Sequence, residues 1–159
     1  VDRTKLFMLL GLNCGMTQAD ISDLRLSEID FDAGTITRPR TKTKNKHDVP
    51  TVRYKLWSET LRLLKQEIAR SEVWKRKAEP YKLRDELALV SMKNGGPLKV
   101  ESSKADDKYR KTDAVKNAYE RLSRSLDLTY KGFAKLRKTG ASFVHNDPEG
   151  GEALAQYYL

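Results

Sequence analysis

Residues 35–51 read Thr-Ile-Thr-Arg-Pro-Arg-Thr-Lys-Thr-Lys-Asn-Lys-His-Asp-Val-Pro-Thr. Between Thr35 and Pro50 the chain carries five cations (Arg38, Arg40, Lys42, Lys44 and Lys46) against one acid, Asp48. Short β-patterns flank the cluster, Thr35 to Thr37 before it and Asp48 to Val52 after it. The segment therefore reads as a basic loop between two strands. Such a loop can present a lysine to a phosphate with no bulky helix in the way. Ile29 to Phe31 and the turn Asp32-Ala33-Gly34 lead into Thr35, which predicts a hairpin and so a small antiparallel sheet near the start of the chain.

The remaining pattern is helical. Thr4 to Leu12 is apolar-rich, with an end expected at Gly11 or Gly15. Thr17-Gln18-Ala19-Asp20 reads as a capping box that opens a short helix with Ile21 and Leu24 inward. Ser58 caps a long helix to about Lys77, in which Leu61, Leu64 and Ile68 recur at helical spacing. Leu87 to Ser91 is strand-like, Asn94-Gly95-Gly96-Pro97 is a turn, and residues 101–111 read as an exposed loop. Further helices are expected from Thr112 or Asp113 to Leu126, from Gly132 to His145, and after Asp147-Pro148-Glu149-Gly150-Gly151. The fold class that follows is mainly α with a small antiparallel β-sheet near the N-terminus. No internal repeat or low-complexity tract appears.

At 159 residues the chain can fill one core, and its 38% apolar and 33% charged residues suit a single domain. The formal net charge of +9 points to a polyanion, of which nucleic acid is the commonest. An anionic membrane fits less well, because the basic segments have no apolar face to bury in lipid. A single cysteine, Cys14, excludes an intramolecular disulfide and suits a reducing, cytoplasmic compartment. Its apolar neighbours mark it as a buried thiol rather than a nucleophile. No run is long enough to cross a bilayer and no signal peptide is visible. The chain begins at Val1 and stops inside an apolar run, so both ends read as cuts through a longer protein.

His47 and His145 are the only histidines and have no partners at ligand spacing, so neither a metal nor a cofactor is expected. There is no Gly-rich phosphate loop with a following Lys-Ser/Thr and no nucleophile elbow. The second basic element is Tyr130-Lys131-Gly132-Phe133-Ala134-Lys135-Leu136-Arg137-Lys138-Thr139-Gly140, four cations and no acid around Phe133, Leu136 and Phe143. A solvated helix face accounts for the lysines. Arg137 follows Leu136 within a core-directed stretch, and an arginine at the edge of a core suits bidentate contact with phosphate.

Taken in order, these segments resemble the catalytic domain of the tyrosine recombinase (phage integrase) family. Gly11-Leu12 through Thr17, Asp20 and Leu24 resembles the first box, usually Gly-Leu-Arg followed by an acid three residues after the arginine and then a leucine. Ile29-Asp30-Phe31-Asp32 with Gly34-Thr35-Ile36 resembles the hairpin after it. Arg40-Thr41-Lys42-Thr43 with Val49-Pro50 resembles the hairpin-lysine segment, and Leu136-Arg137-Lys138-Thr139 the second box, usually His-x-Leu-Arg-His-Thr. Ala155-Gln156-Tyr157-Tyr158-Leu159 resembles the residues before a Leu-Gly-His.

The resemblance implies a reaction in which a tyrosine attacks a DNA phosphodiester to form a 3′-phosphotyrosyl link. Two arginines stabilise the transition-state charge, and a lysine assists the departing 5′-oxygen as general acid. It assigns catalytic roles to Lys42 and Arg137 and a bracing role to Asp20. Arg38, Arg40, Lys44, Lys46, Lys135 and Lys138 become DNA contacts. The partner is double-stranded DNA, with a tetramer on DNA for the full-length protein. The chain would be a single catalytic-type domain over 1–159, lacking the box with the nucleophilic tyrosine and the N-terminal core-binding domain.

Three positions depart from the pattern. Thr17 stands where the first catalytic arginine is expected, Ala134 where the second-box histidine is expected, and Lys138 replaces the other common histidine. Thr17 cannot supply a positive charge, unless Arg3 or Arg25 substitutes for it in space. Tyr157 and Tyr158 fall before the expected Gly-His and read as packing residues. The alternative is thus a catalytically degenerate DNA-binding module on the same fold. A third, an RNA-binding or ribosome-associated domain, has little support because few aromatics interleave with the basic loop.

Overall fold

A computed structural model describes residues 2–39, 51–77, 85–100, 112–129 and 131–148. The first helix, α1 (Asp2–Cys14), is the axis of the core, with Leu6, Phe7, Leu10 and Cys14 buried along it. Helices α3 (Ser58–Lys77), α4 (Ala114–Ser125) and α5 (Ala134–His145) all pack against it. α1 runs through Gly11 and ends only where Gly15 takes a positive φ of 60°, a conformation that costs a residue without Cβ little.

The short α2 (Gln18–Ser22) begins on the expected capping box. Thr17 Oγ1 accepts from the Asp20 amide at 3.2 Å, and the Asp20 carboxylate accepts from the Thr17 amide at 2.8 Å. A 3-10 turn (Leu26–Glu28) leads into β1 (Ile29–Asp30), β2 (Thr35–Pro39) and β3 (Thr51–Lys55), an antiparallel sheet in the order β1-β2-β3. Asp30 Oδ1 accepts from the Asp32 and Ala33 amides at 3.1 and 2.8 Å, which shapes the expected turn. Register pairs Ile29 with Ile36, Ile36 with Tyr54, and Arg38 with Val52. The third strand, expected at Asp48 to Val52, is described from Thr51 and runs on to Lys55, over a stretch where exposure alternates residue by residue.

α3 spans the predicted residues, with Leu63 and Leu64 fully inward and Leu61 and Ile68 at the margin of the core. Leu87–Val90 is buried, but it forms one isolated bridge, Arg25 with Leu87, rather than a strand. A two-stranded ladder joins β4 (Lys99–Val100) to β5 (Thr112–Asp113), and Asp113 then caps α4 through the Lys116 amide at 2.8 Å. No sequence pattern marked that ladder, because the two described residues of each strand show no period. The expected loop over 101–111 and the expected helix after Asp147 lie outside the described residues.

A buried polar link braces α1 from behind. Arg3 Nε lies 3.2 Å from Glu67 Oε1 on α3, Arg3 Nη2 donates to the Val90 carbonyl, and the guanidinium sits 5.5 Å from the Phe7 ring centroid. Burial pushes the Glu67 carboxyl up and the Arg3 guanidinium down from their ordinary values, and their mutual attraction opposes both shifts.

Candidate nucleic-acid interface

Helix α5 carries the second basic element and is fixed by its contact with α1. A Cβ placed on Gly11 would lie 3.2 and 3.3 Å from Phe133 Cε1 and Cζ and 3.4 Å from Leu136 Cβ. Gly11 is therefore a packing residue, and its missing side chain lets α5 approach α1 at the first box. Phe133 is fully buried and meets the Tyr119 ring of α4 edge-on at 5.6 Å, so one aromatic ring joins α1, α4 and α5.

Leu136 faces the core, and Arg137, the next residue, is half-buried with its Nε enclosed. Lys135 and Lys138 are exposed on either side of it. α5 thus presents two exposed lysines flanking one half-buried guanidinium, an arrangement suited to a phosphate backbone. Phe143, expected beside Phe133 and Leu136, is instead 58% exposed. Seven residues after Leu136 it lies on the same helical face, but two turns further along, close to the end of α5 at His145.

The first box is built differently from its expected pattern. Besides capping α2, the Thr17 hydroxyl donates to Asp20 Oδ2 at 2.7 Å, so the residue at the arginine position is tied down locally. Arg3 and Arg25 do not substitute for the missing charge. Arg3 is engaged by Glu67 near the start of α1, about 16 Å along the axis from Cys14 at 1.5 Å per residue. Arg25 is bound to Glu86 at 2.7 Å.

Arg38, the one cation of its cluster within the described residues, is turned inward. It shares the inner face of the sheet with Ile36 and Tyr54, and its side chain is only 7% exposed. Nη1 donates to the Asp20 carbonyl at 2.8 Å, while Asp23 and Glu28 carboxylates each lie 3.7 Å from the guanidinium. That geometry turns it toward α2. Period-two alternation from Ile36 already placed Arg38 inward, a signal masked by the surrounding charge. Arg40, Lys42, Lys44 and Lys46 lie outside the described residues, as do Tyr157 and Tyr158. The strands that bracket the basic segment are described, and Pro39 pairs with Thr51 at its base.

One further positioning residue carried no sequence signal. The Asn13 amide donates to the Lys55 carbonyl at 3.0 Å and accepts from the Trp57 amide at 2.7 Å, clamping the end of β3 to α1. Among the described residues, no group of three metal-ligating side chains gathers, and no helix is long and apolar enough to cross a membrane.

Comparison with known proteins agrees with this layout. The crystal structure of XerA recombinase superposes with a TM-score of 0.62 at 11% identity, covering 99% of this chain and 48% of that one. A Tn1549 transposon integrase in complex with a circular intermediate DNA gives 0.62 at 14% identity, covering 98% and 49%. A second complex of that integrase, with another circular intermediate DNA, gives 0.61 at 15% identity, covering 98% and 48%. The chain spans about half the length of these structures, and the likeness establishes the tyrosine recombinase catalytic-domain fold. No curated protein sequence matches it closely. The sequence profile of the phage integrase family does match, over residues 2–146, which include both basic elements, both boxes and the hairpin between them. By its sequence, matched over nearly its whole length, the chain belongs to the phage integrase family.

Proposed function

We propose that the chain is the duplex-DNA-binding catalytic domain of a site-specific tyrosine recombinase, with Arg137 and Lys42 acting on one scissile phosphate. The observation that carries this is the seating of Arg137. Alone among Lys135, Arg137 and Lys138 it is half-buried, immediately beside the α1–α5 contact that Leu136 makes with Gly11 of the first box. A guanidinium held there meets a phosphate with little reorganisation, and it can stabilise charge that develops on the non-bridging oxygens. Lys42 protonates the leaving 5′-oxygen, and Arg40, Lys44, Lys46, Lys135 and Lys138 hold the backbone. A tyrosine outside the assigned residues forms the 3′-phosphotyrosyl link, and full-length copies work as a tetramer on paired sites.

One observation favours a second reading, a DNA-binding module that has lost strand cleavage. Thr17 is bound into its own capping box, and neither Arg3 nor Arg25 is placed to replace the missing arginine. Loss of one such transition-state contact costs on the order of a hundredfold or more in rate.

The test is capture of covalent DNA–protein adducts by the full-length protein on a nicked duplex. The enzyme reading expects adducts that vanish with Arg137→Ala and persist, with weaker binding, in Lys44→Ala. Duplex binding without adducts supports the module. Adducts that survive Arg137→Ala overturn the assignment of α5, and equal or tighter binding to structured RNA overturns both readings.

A further inference from the structure

We infer that Arg38 is a positioning residue that fixes the base of the basic hairpin to the first box, rather than a phosphate contact. The inference rests on the duplex-DNA reading above only for its functional consequence. Three observations carry it. Arg38 lies on the core-facing side of β2, one residue before Pro39, where the described part of that strand ends opposite Thr51. Its guanidinium reaches across to α2 and donates to the carbonyl of Asp20 itself, the acid of the first box, at 2.8 Å. Asp23 and Glu28, from either side of the following turn, each stand 3.7 Å from it.

A buried guanidinium needs compensating oxygens. Here one hydrogen bond goes to the Asp20 carbonyl of α2, while the carboxylates of Asp23 at its C-terminal end and of Glu28 in the 3-10 turn balance the charge from 3.7 Å, beyond hydrogen-bond distance of the buried Nε. Glu28 is itself anchored, since its other oxygen accepts from the Arg25 amide at 2.9 Å. The planar fork of arginine can hold several such acceptors at once, which a single ammonium cannot. The Asp20 side chain is meanwhile held by Thr17. One residue, Asp20, is thus fixed by its carboxylate to the start of α2 and by its carbonyl to the outgoing end of β2. Displacing Arg38 moves the strand end that launches the cationic segment relative to that box.

The test combines two measurements on Arg38→Met, which keeps length and loses the fork, and on the milder pair Asp23→Asn and Glu28→Gln, which loosen its seat. Amide hydrogen exchange reads the seat without DNA. The expected result is faster exchange in β2–β3 and at α2 together, with α3 and α4 unchanged. The second measurement is the salt dependence of duplex binding. Each lost phosphate contact reduces the slope of log K against log salt by about 0.9. Positioning predicts a loss of about two units or more in Arg38→Met, because several cations of the hairpin shift together. Arg38→Lys recovers only part of it, and the seat variants shift the slope in the same direction.

A loss of about 0.9 with unchanged exchange makes Arg38 an ordinary phosphate contact and overturns the inference. Faster exchange with an unchanged slope makes it a purely structural residue and overturns it as well. If wild type shows no duplex binding, the DNA reading fails. The positioning claim is then decided by exchange alone, and uniform or absent changes sink it.

Discussion

Gly11 is where a single added carbon should disturb both the core and the site, and Gly11→Val is the perturbation to make. A Cβ there already meets Phe133 at 3.2 Å, closer than ordinary van der Waals contact, and touches Leu136 at 3.4 Å. Phe133 is fully buried and pinned edge-on against Tyr119, so it cannot swing away. Alanine would add this one contact but gain about 1 kcal/mol of helix propensity over glycine, leaving Gly11→Ala near neutral. Valine adds two further methyls to the same gap. Overpacking of that kind costs about 1–3 kcal/mol, while the helix-propensity gain of valine over glycine is only about 0.3 kcal/mol. The net expectation is a loss of about 2 kcal/mol, or about 4–8 °C in Tm for a domain of this size. Urea unfolding followed by Trp57 and Trp74 fluorescence measures it. Gly132→Ala, where an added Cβ meets nothing within 4 Å, is the control and should stay within about 0.5 kcal/mol. Because α5 carries Arg137, duplex affinity should fall in Gly11→Val at temperatures where the protein remains folded. A Gly11→Val variant as stable as wild type would refute the close α1–α5 packing.

Two further outcomes follow from the scaffold. Asn13→Ala removes both bonds of the clamp between α1 and the end of β3. It should cost about 1–3 kcal/mol in urea unfolding, whereas an unchanged midpoint would remove Asn13 from the support of the hairpin. Burial pushes the Cys14 thiol from an ordinary value of 9.0 up to about 12. The folded state therefore keeps a proton that the unfolded chain releases, so this contribution is flat below pH 9 and stability falls as pH rises from there toward 12. The slope should approach ~1.4 kcal/mol per pH unit. Cys14→Ala should flatten that alkaline limb, and an unaltered limb would contradict the burial.

What could be read from sequence was whatever repeats or caps. The Thr17–Asp20 box, the span of α3 and the hairpin around Gly34 each carry a local signal that their neighbours reinforce, and each forms as expected. The edge position of Arg137 was legible from Leu136 beside it. Tertiary approaches were not. Gly11 looked like a helix end because glycine is a weak helix former, yet it sits inside α1 to admit Phe133. Arg38 was read by its charge and grouped with Arg40 to Lys46. Its strand face, set by Ile36, decided its direction instead. Asn13 gave no sign, since its two partners come from a strand end and a turn more than forty residues away.

The central claim is that Arg137 and Lys42 serve the same phosphate, and a double-mutant cycle in duplex binding tests it most directly. Affinities of wild type, Arg137→Ala, Lys42→Ala and the double variant are measured at one fixed salt concentration. Groups that share one phosphate should be non-additive, with a coupling of about 0.5–3 kcal/mol. Losses that add to within ~0.3–0.5 kcal/mol would mean that the two side chains contact separate parts of the DNA, and the shared site would be contradicted.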